Sequence, residues 1–374
     1  MAPLVVGVPT EVKDSEHRVA ITPDGVRELS QRGISILIQA GAGQESSISD
    51  AEFVRAGASI VPTAEETWDR AELVCKVKEP QPEELAMMRS GLVLFTYLHL
   101  AAYPDVAKGL LAQRIAGVAY ETVQLDGGAL PLLAPMSEVA GRLATQVGAY
   151  YLQKENGGRG VLLGGAPGVR PARVVVVGAG NVGWNSAWIA AGMEAEVLLL
   201  DKNLDRLRWV DQIHRGRIMT IASNRGSVER AVADADLVIG AVLVPGGRAP
   251  VVITDDMIRT MKRGAVIVDV AIDQGGCVEG IRETTHTDPV YERHGVVHYA
   301  VGNIPGAVPN TSTYALTNAT LPYLIELAEL GLAEACRRDP PLALGVNTLD
   351  GEVTHPVVAE ALGAIYRPLE ELLG

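Results

Sequence analysis

The sequence predicts an α/β protein with two doubly wound domains that are separated by a cleft and joined by long helices. Short aliphatic runs alternate with amphipathic stretches along most of the chain, which is typical of βα units and a mainly parallel sheet. Only 4% of residues are aromatic whereas 40 are glycine, a composition that suits aliphatic strands and tight turns. A length of 374 residues is too great for one core and favours two domains.

The first series of elements predicts the sheet of an N-terminal domain. Aliphatic runs at 4–8, 35–39, 73–77, 92–97 and 117–119 have the length and composition of buried strands. Between them, residues 22–32 show helical spacing, with Pro23 near the start as proline prefers. The apolar spacing then predicts a long helix over 137–155, with Ser137 as its N-cap and Gly157 and Gly158 as its stop.

A second series predicts another sheet, with strands at 173–177, 196–200, 237–242 and 265–270. A further long helix is predicted over 313–330, and the remaining tail is too short to form a domain. We therefore expect a discontinuous domain of residues 1–136 plus 308–374 around an inserted domain of residues 137–307.

Charge and cysteine usage exclude several classes of protein. The formal net charge of −13 disfavours binding to nucleic acid or to an anionic membrane surface. No apolar run approaches the ~20 residues of a membrane span, and residues 1–10 lack the features of a signal peptide. Three scattered cysteines, Cys75, Cys277 and Cys336, are typical of reduced thiols, so we expect a cytoplasmic protein.

A glycine motif follows the second domain's first strand. Gly178 comes directly after four valines, and Gly180 and Gly183 open an amphipathic stretch. These glycines permit a tight turn, the approach of a pyrophosphate and close packing of helix on strand, as in Rossmann domains. Asp201, about 20 residues on at the end of the next strand, is placed to bind ribose hydroxyls. The motif predicts a Rossmann-like domain that binds NAD rather than NADP.

Two other patterns receive a structural interpretation. The glycine-rich segment 164–168 contains Pro167, which blocks a helix, so we expect a hairpin loop without a ligand. His286, His294 and His298 are spaced by eight and four residues and do not form a recognisable metal set.

Six segments together resemble bacterial alanine dehydrogenases. They are EVKDSEHRVAITP at 11–23, KVKEP at 76–80, FTYLHLA at 95–101, LLAPMSEVAGR at 132–142, DVAIDQGGC at 269–277 and TSTYALTNA at 311–319. The resemblance runs in order from about Gly7 to the C-terminal region. It is closer to this family than to the wider superfamily, which includes the nucleotide-binding part of proton-translocating transhydrogenase. Two features depart from the usual pattern of this family: Trp184, directly after the last motif glycine, and the sequence of segment 300–303.

The resemblance implies a homo-hexameric enzyme that converts L-alanine, NAD⁺ and water reversibly into pyruvate, ammonium and NADH. It assigns residues 1–136 plus 308–374 to a substrate domain and residues 137–307 to an NAD-binding domain. It implies that Arg18 and Lys78 bind the substrate carboxylate, that His99 and Asp273 form the catalytic acid/base pair, and that Met136 and Asn303 line the substrate pocket. The implied cofactor contacts are Ser137, Gly178, Gly180, Asn181, Val182, Gly183, Asp201, Arg206, Ser223, Val242, Leu243, Val270, Ala271, Ile272, Asp273, Gly302, Asn303, Ile304 and Pro305.

These residue types suit that chemistry. An arginine can bind a carboxylate with two hydrogen bonds, and a lysine adds a point charge, so that the Cα hydrogen faces C4 of the nicotinamide. The later proton transfers need a group that titrates near neutrality, as histidine does, and an aspartate at a strand end can act with it or orient it. Taken singly, each residue also has an ordinary explanation: a surface arginine, a solvated lysine, a core histidine and an aspartate in a turn.

Three other functions stay open at the level of sequence. The same scaffold could accept glycine or a larger amino acid, because one methylene changes discrimination by only about 1–3 kcal/mol. A transhydrogenase-type nucleotide domain would need no His99. An NAD-sensing protein without catalysis would keep the glycine motif and Asp201 but would not need Arg18, Lys78, His99 and Asp273 together.

Overall fold

The chain divides into two units, which are described separately. Unit 1 comprises Met1–Met136 and Val308–Gly374, and unit 2 comprises Ser137–Ala307. The structure is a computed structural model that describes residues 4–242 and 248–373. Leu243, which was expected to contact the cofactor, lies outside these residues.

Unit 1 is built from alternating strands and helices, followed by a helical C-terminal segment. Its N-terminal elements are β1 (Val6–Val8), α1 (Pro23–Gln31), β2 (Ile36–Gln39), α2 (Asp50–Ala56), β3 (Ser59–Val61), α3 (Ala64–Arg70), β4 (Leu73–Cys75), α4 (Pro82–Leu85), β5 (Val93–Thr96), α5 (Pro104–Ala112) and β6 (Ala116–Ala119). The helix α6 (Ala134–Tyr151) then carries the chain into unit 2.

Unit 2 repeats the same alternation. Its remaining elements are β7 (Arg173–Val177), α7 (Asn181–Gly192), β8 (Glu196–Asp201), α8 (Leu204–His214), β9 (Ile218–Ala222), α9 (Arg225–Ala233), β10 (Leu237–Gly240), α10 (Asp255–Thr260), β11 (Val266–Asp269), β12 (Val290–Arg293) and β13 (Val296–Tyr299). The chain then completes unit 1 with α11 (Pro309–Leu330), α12 (Leu332–Arg338), α13 (Pro340–Gly345), β14 (Val346–Leu349), β15 (Glu352–Val353) and α14 (Pro356–Leu362).

The sheet of unit 1 is mainly parallel. Within the described residues its eight strands have the order β15-β14-β6-β5-β4-β1-β2-β3. The six N-terminal strands pair in parallel, whereas β14 joins β6 and β15 in antiparallel fashion. The C-terminal segment thus completes the sheet that the N-terminal segment begins.

The sheet of unit 2 has the order β12-β13-β11-β10-β7-β8-β9 in the described part of the chain, and all pairs are parallel except β12 with β13. Successive valines of β7 face opposite sides, as in any strand. Val174 and Val176 pack in a core with residues of α6, α7 and α8, and Val175 and Val177 in a second core with α9 and α10. Helices therefore cover both faces, which confirms the predicted doubly wound α/β class.

The helix α1 shows how local sequence sets an element. Its N-cap Thr22 has extended backbone angles, and its side-chain oxygen accepts a hydrogen bond from the N–H of Gly25. Pro23 occupies the first turn, where a missing N–H removes no helical bond. One predicted cap is wrong: α6 begins at Ala134, so Ser137 lies inside its first turns and is not an N-cap, and α6 ends at Tyr151 rather than near residue 155.

None of the helices in the described residues is long and apolar enough to cross a bilayer.

Candidate active site

Three polar residues of unit 1, two of them predicted from the sequence, follow the carboxyl ends of adjacent parallel strands. Lys78 lies three residues after β4, His99 three residues after β5, and Glu121 two residues after β6. Because β4, β5 and β6 are neighbours and run in the same direction, these three positions share one edge of the sheet. Open α/β sheets bind their ligands at that edge.

Arg18 is buried and held in a fixed orientation. Its Nε and Nη2 donate to the two carboxylate oxygens of Glu16 at 2.6 and 2.5 Å, and the Glu16 carboxylate also accepts from the Arg18 backbone N–H. The remaining Nη1 donates to the sulfur of Met136 at 3.0 Å. The structure therefore brings two predicted substrate residues, Arg18 and Met136, into contact, with the guanidinium fixed by a bidentate pair.

Lys78 lies in a segment that a buried carboxylate organises. The Glu11 carboxylate accepts from the backbone N–H groups of Val77 and Lys78 at 2.7 and 3.3 Å, and it pairs with the buried ammonium of Lys76 at 3.0 Å. Burial raises the pKa of Glu11, while the charge of Lys76 opposes that rise. The Lys78 ammonium lies 3.8 Å from Glu79. This segment thus carries a lysine charge on a rigid support.

His99 has an unusual backbone. Its φ is +47°, in the left-handed region that residues with a side chain seldom adopt. Its ring stacks on that of Tyr97, with centroids 5.5 Å apart and planes within 2°. The hydroxyl of Tyr97 donates to the carbonyl of Leu132 at 2.6 Å, which fixes the stacking partner. Such backbone outliers cluster at functional sites.

The electrostatic environment favours a neutral imidazole at His99. Although 31% of its side chain is exposed, loss of water around the ring lowers its pKa well below the ordinary value, and the charges of Lys78 and Lys13 lower it further. A neutral imidazole can accept a proton, so His99 is available as a base over the neutral pH range.

The glycine turn of unit 2 has the features of a dinucleotide site. Gly178 has φ +106°, and a Cβ there would lie 2.4 Å from the carbonyl oxygen of Ala241. A Cβ on Gly183 would lie 1.7 Å from the carbonyl oxygen of Gly178, so α7 can pack against the turn only with glycine there. A Cβ on Gly180 would meet nothing closer than an Arg206 nitrogen at 3.9 Å. The space at Gly180, before the N-terminus of α7, suits an approaching pyrophosphate.

Asp201 lies at the end of β8 and supports this turn. Its carboxylate accepts from the backbone N–H groups of Ala179 at 2.5 Å and Asn203 at 2.7 Å. Arg206, in the first turn of α8, lies 4.0 Å from the same carboxylate. A carboxylate fixed here suits ribose hydroxyls and repels a 2′-phosphate.

Asp273 and Asn303 are in contact within unit 2. The Asp273 carboxylate accepts from the Asn303 backbone N–H at 3.1 Å, and Asn303 has a left-handed φ of +56°. The loop that carries Asp273 is organised by the buried Asp269, whose carboxylate accepts from the N–H groups of Ala271, Cys277 and Val278. The predicted catalytic pair is therefore divided between the units, His99 in unit 1 and Asp273 in unit 2.

The other predicted cofactor residues of unit 2 also lie mostly after strand ends. Asn181 and Val182 begin α7, and Ser223 directly follows β9. Val242 follows β10, Val270 to Ile272 follow β11, and Gly302, Ile304 and Pro305 follow β13. Ser137 is the exception, because it lies within α6.

Trp184 belongs to an aromatic cluster rather than to the turn itself. Its ring lies against those of Trp188 and Trp209, and its indole N–H donates to Nε2 of His214 at 2.9 Å. The unusual tryptophan after the glycine motif therefore packs between α7 and α8. The three histidines set aside above form no group of three or more ligands with other His, Cys, Asp or Glu residues in the described chain.

Three supporting residues were not identified from the sequence: Glu16, Glu121 and Asp269. Each is an acid whose carboxylate accepts backbone N–H groups beside a predicted site residue. The signal available for Glu121 and Asp269 was an acid at or just after the end of a predicted strand, the same signal that identified Asp201. No sequence signal distinguishes Glu16 from the other acids of its segment.

Comparisons with known proteins cover both units. The family model described as alanine dehydrogenase/PNT, N-terminal domain, matches residues 7–140, and the corresponding C-terminal domain model matches residues 144–356. An alanine dehydrogenase of Mycolicibacterium smegmatis is 56% identical over 370 residues, which span 99% of this chain and all of that protein.

Solved structures give the same relationship. An L-alanine dehydrogenase has a TM-score of 0.93 at 48% identity, covering 96% of this chain and 99% of that one. A transhydrogenase from Sinorhizobium meliloti has a TM-score of 0.81 at 26% identity, covering 94% of this chain and all of that one. With both family models matched in order along most of its length, the chain belongs to the alanine dehydrogenase/PNT family.

Proposed function

We propose that the chain is an NAD-dependent L-alanine dehydrogenase. The reaction is L-alanine + NAD⁺ + H₂O → pyruvate + NH₄⁺ + NADH + H⁺, and it is reversible. The names of the full-length relatives support this activity. The observation that carries it is a set of groups in unit 1: an arginine fixed by a bidentate pair, a lysine on a segment held by Glu11, and a histidine whose pKa is lowered.

Binding of the substrate falls to unit 1 in this proposal. Arg18 and Lys78 hold the carboxylate of alanine, and Met136, in contact with Arg18, lines the pocket for its methyl group. Glu16 fixes the guanidinium before the substrate arrives, so that less side-chain freedom is lost on binding. Asn303, whose backbone N–H donates to Asp273, is a further substrate-pocket residue in this proposal.

Proton transfer falls to His99 and Asp273. When bound, NAD⁺ supplies the hydride acceptor for the Cα hydrogen. His99 accepts a proton from the water that attacks the imino carbon, since its imidazole is neutral at working pH. Asp273 acts with His99 as the second member of the acid/base pair when ammonia departs.

The cofactor residues of unit 2 favour NAD over NADP. Gly178, Gly180 and Gly183 form the turn for the pyrophosphate, and Asp201 accepts the ribose hydroxyls. The family resemblance supports a further proposal, a homo-hexameric assembly, and the scattered cysteines support another, a cytoplasmic location. A monomer mass in light scattering of the purified protein would contradict the hexameric assembly.

The test is formation of NADH by the purified protein with NAD⁺ and a panel of L-amino acids at alkaline pH, with NADP⁺ in parallel. We expect turnover with alanine and NAD⁺, and a loss of at least about 100-fold in kcat in His99→Ala and Asp273→Ala. His294→Ala and Asp234→Ala are matched controls, because His294 and Asp234 precede β13 and β10 and so lie at the amino ends of strands.

Other outcomes separate the alternatives. Turnover with a larger amino acid or with glycine in preference to alanine would assign a different substrate to the same machinery. Tight NADH binding without turnover of any amino acid would contradict the dehydrogenase proposal and favour a transhydrogenase-type or sensing role.

A further inference from the structure

Glu121 lies beside the segment that presents His99. It follows β6, the strand adjacent to β5, and its carboxylate reaches across to the turn that β5 enters. One carboxylate oxygen accepts from the backbone N–H of His99 at 2.6 Å and of Leu98 at 3.3 Å, and the other accepts from Leu98 at 3.2 Å. Two consecutive N–H groups thus converge on one acid.

This arrangement compensates for a strained backbone. A left-handed residue with a side chain costs on the order of 1 kcal/mol or more, and it persists only where its surroundings hold it. At His99 the short bond from its own N–H to Glu121 is such a restraint. The carbonyl of His99 accepts in turn from the N–H groups of Ala102 and Tyr103, which holds the other side of the residue.

The carboxylate is also close to the imidazole. The Oε1 atom of Glu121 lies 3.8 Å from Nδ1 of His99, and the Glu121 side chain is only 14% exposed. Burial raises the pKa of Glu121, and the N–H groups that it accepts and the charge of Lys78 oppose that rise. Tyr97 fixes the plane of the ring by stacking, so Glu121 and Tyr97 restrain the residue in different ways.

We propose that Glu121 is the positioning residue for His99: its carboxylate holds the left-handed turn that aims the imidazole at the substrate and stabilises the imidazolium formed when His99 takes a proton. The inference rests on the proposed function in so far as His99 is the base of that reaction. Glu121 itself contacts the backbone of the base, and it therefore affects turnover more than substrate binding.

Two variants separate geometry from charge. In Glu121→Gln the amide oxygen can replace Oε1 and keep the bonds from His99 and Leu98, but the negative charge is lost. In Glu121→Ala both are lost. Glu65→Gln, at an exposed position in α3, is the matched control. Should Glu121→Ala fail to fold, Glu121→Gln still carries the test.

For the kinetic readout we expect Glu121→Gln to lower kcat about 10- to 100-fold, the range given by the loss of one charged interaction in the transition state. KM for alanine and Kd for NADH should change less than about threefold, because Arg18, Lys78 and the glycine turn are untouched. A kcat equal to that of the wild type, or a loss explained entirely by KM, would overturn the proposal.

A second readout does not depend on activity. In protein labelled with ¹⁵N-histidine, the amide proton of His99, assigned by its absence in His99→Gln, should resonate downfield of the other histidine amides because its hydrogen bond is short and charge-assisted. It should move upfield in Glu121→Gln and remain in place in Glu65→Gln. If the wild type shows no turnover with alanine, the proposed function fails, and an unchanged amide shift would separately contradict the positioning role.

Discussion

The bidentate pair of Arg18 with Glu16 depends on the planar guanidinium, which the conservative substitution Arg18→Lys would remove. Lysine keeps the positive charge but has neither the planar fork nor its directed N–H groups. We expect Arg18→Lys to raise KM for alanine about 10- to 100-fold, since one charge-assisted hydrogen bond contributes about 1.5–3 kcal/mol. Kd for NADH, measured by fluorescence titration, should stay unchanged.

The control for this variant is Arg32→Lys. Arg32 forms a partly exposed i,i+4 pair with Glu28 on α1, where either cation serves equally well. An unchanged KM in Arg18→Lys would show that the guanidinium does not bind the substrate carboxylate.

At the scale of single residues, the sequence identified the groups with chemistry but not the groups that hold them. Arg18, His99 and Asp273 were found through ordered motifs. Glu121 was missed because its partners are the backbone N–H groups of another segment, at Leu98 and His99, and such contacts leave no fixed spacing in the sequence. Glu16 and Asp269 bond to nearby residues of their own segments, and the sequence does not distinguish an acid with such bonds from one that faces solvent.

The glycine turn and α7 allow a test at the scale of one element. A Cβ on Gly183 would lie 1.7 Å from a backbone oxygen, whereas a Cβ on Gly192, at the end of the same helix, would meet nothing within 4 Å. We expect Gly183→Ala to lower the free energy of unfolding by about 1–3 kcal/mol or more, because overpacking usually costs that much. Gly192→Ala should be neutral or stabilised by up to about 1 kcal/mol. Chemical denaturation of both variants measures the difference.

A third variant of this turn separates folding from binding. Gly180 has ordinary backbone angles for a helix N-cap, and a Cβ there has room. Gly180→Ala should therefore keep the stability of the wild type and bind NADH more weakly. Equal loss of stability in Gly180→Ala and Gly183→Ala would contradict the roles assigned to the two glycines.

The elements themselves were predictable where their residues are apolar throughout. The strands β4, β5, β7 and β8 lie within a residue or two of the aliphatic runs that predicted them. The strands β13 and β14 were missed because they carry polar side chains in the core: His298 in β13, and Asn347 and Thr348 in β14. Thr348 donates to the carbonyl of Ile115, and Asn347 pairs with Thr122, contacts that only the folded chain supplies.

At the scale of the whole molecule, the buried His298 predicts how stability depends on pH. Burial lowers its pKa to about 4, whereas a histidine in the unfolded chain titrates near 6.5. Between these values the unfolded chain binds a proton that the folded chain does not, so acidification from pH 7 towards pH 4 favours unfolding. The difference corresponds to roughly 3 kcal/mol at the acidic end of this window.

Intrinsic fluorescence can follow this effect in unit 2, because Trp184, Trp188 and Trp209 lie there and only Trp68 lies in unit 1. His298→Phe keeps an aromatic ring against Tyr291 and removes the titrating group. Urea midpoints of this variant should fall less between pH 7 and pH 5 than those of the wild type, whereas His17→Gln, at an exposed position in unit 1, should follow the wild type. Parallel pH dependence in all three proteins would assign the acid sensitivity to other groups. A flatter curve in His298→Phe alone would show that one buried imidazole in a strand makes the folded state of unit 2 sensitive to acid.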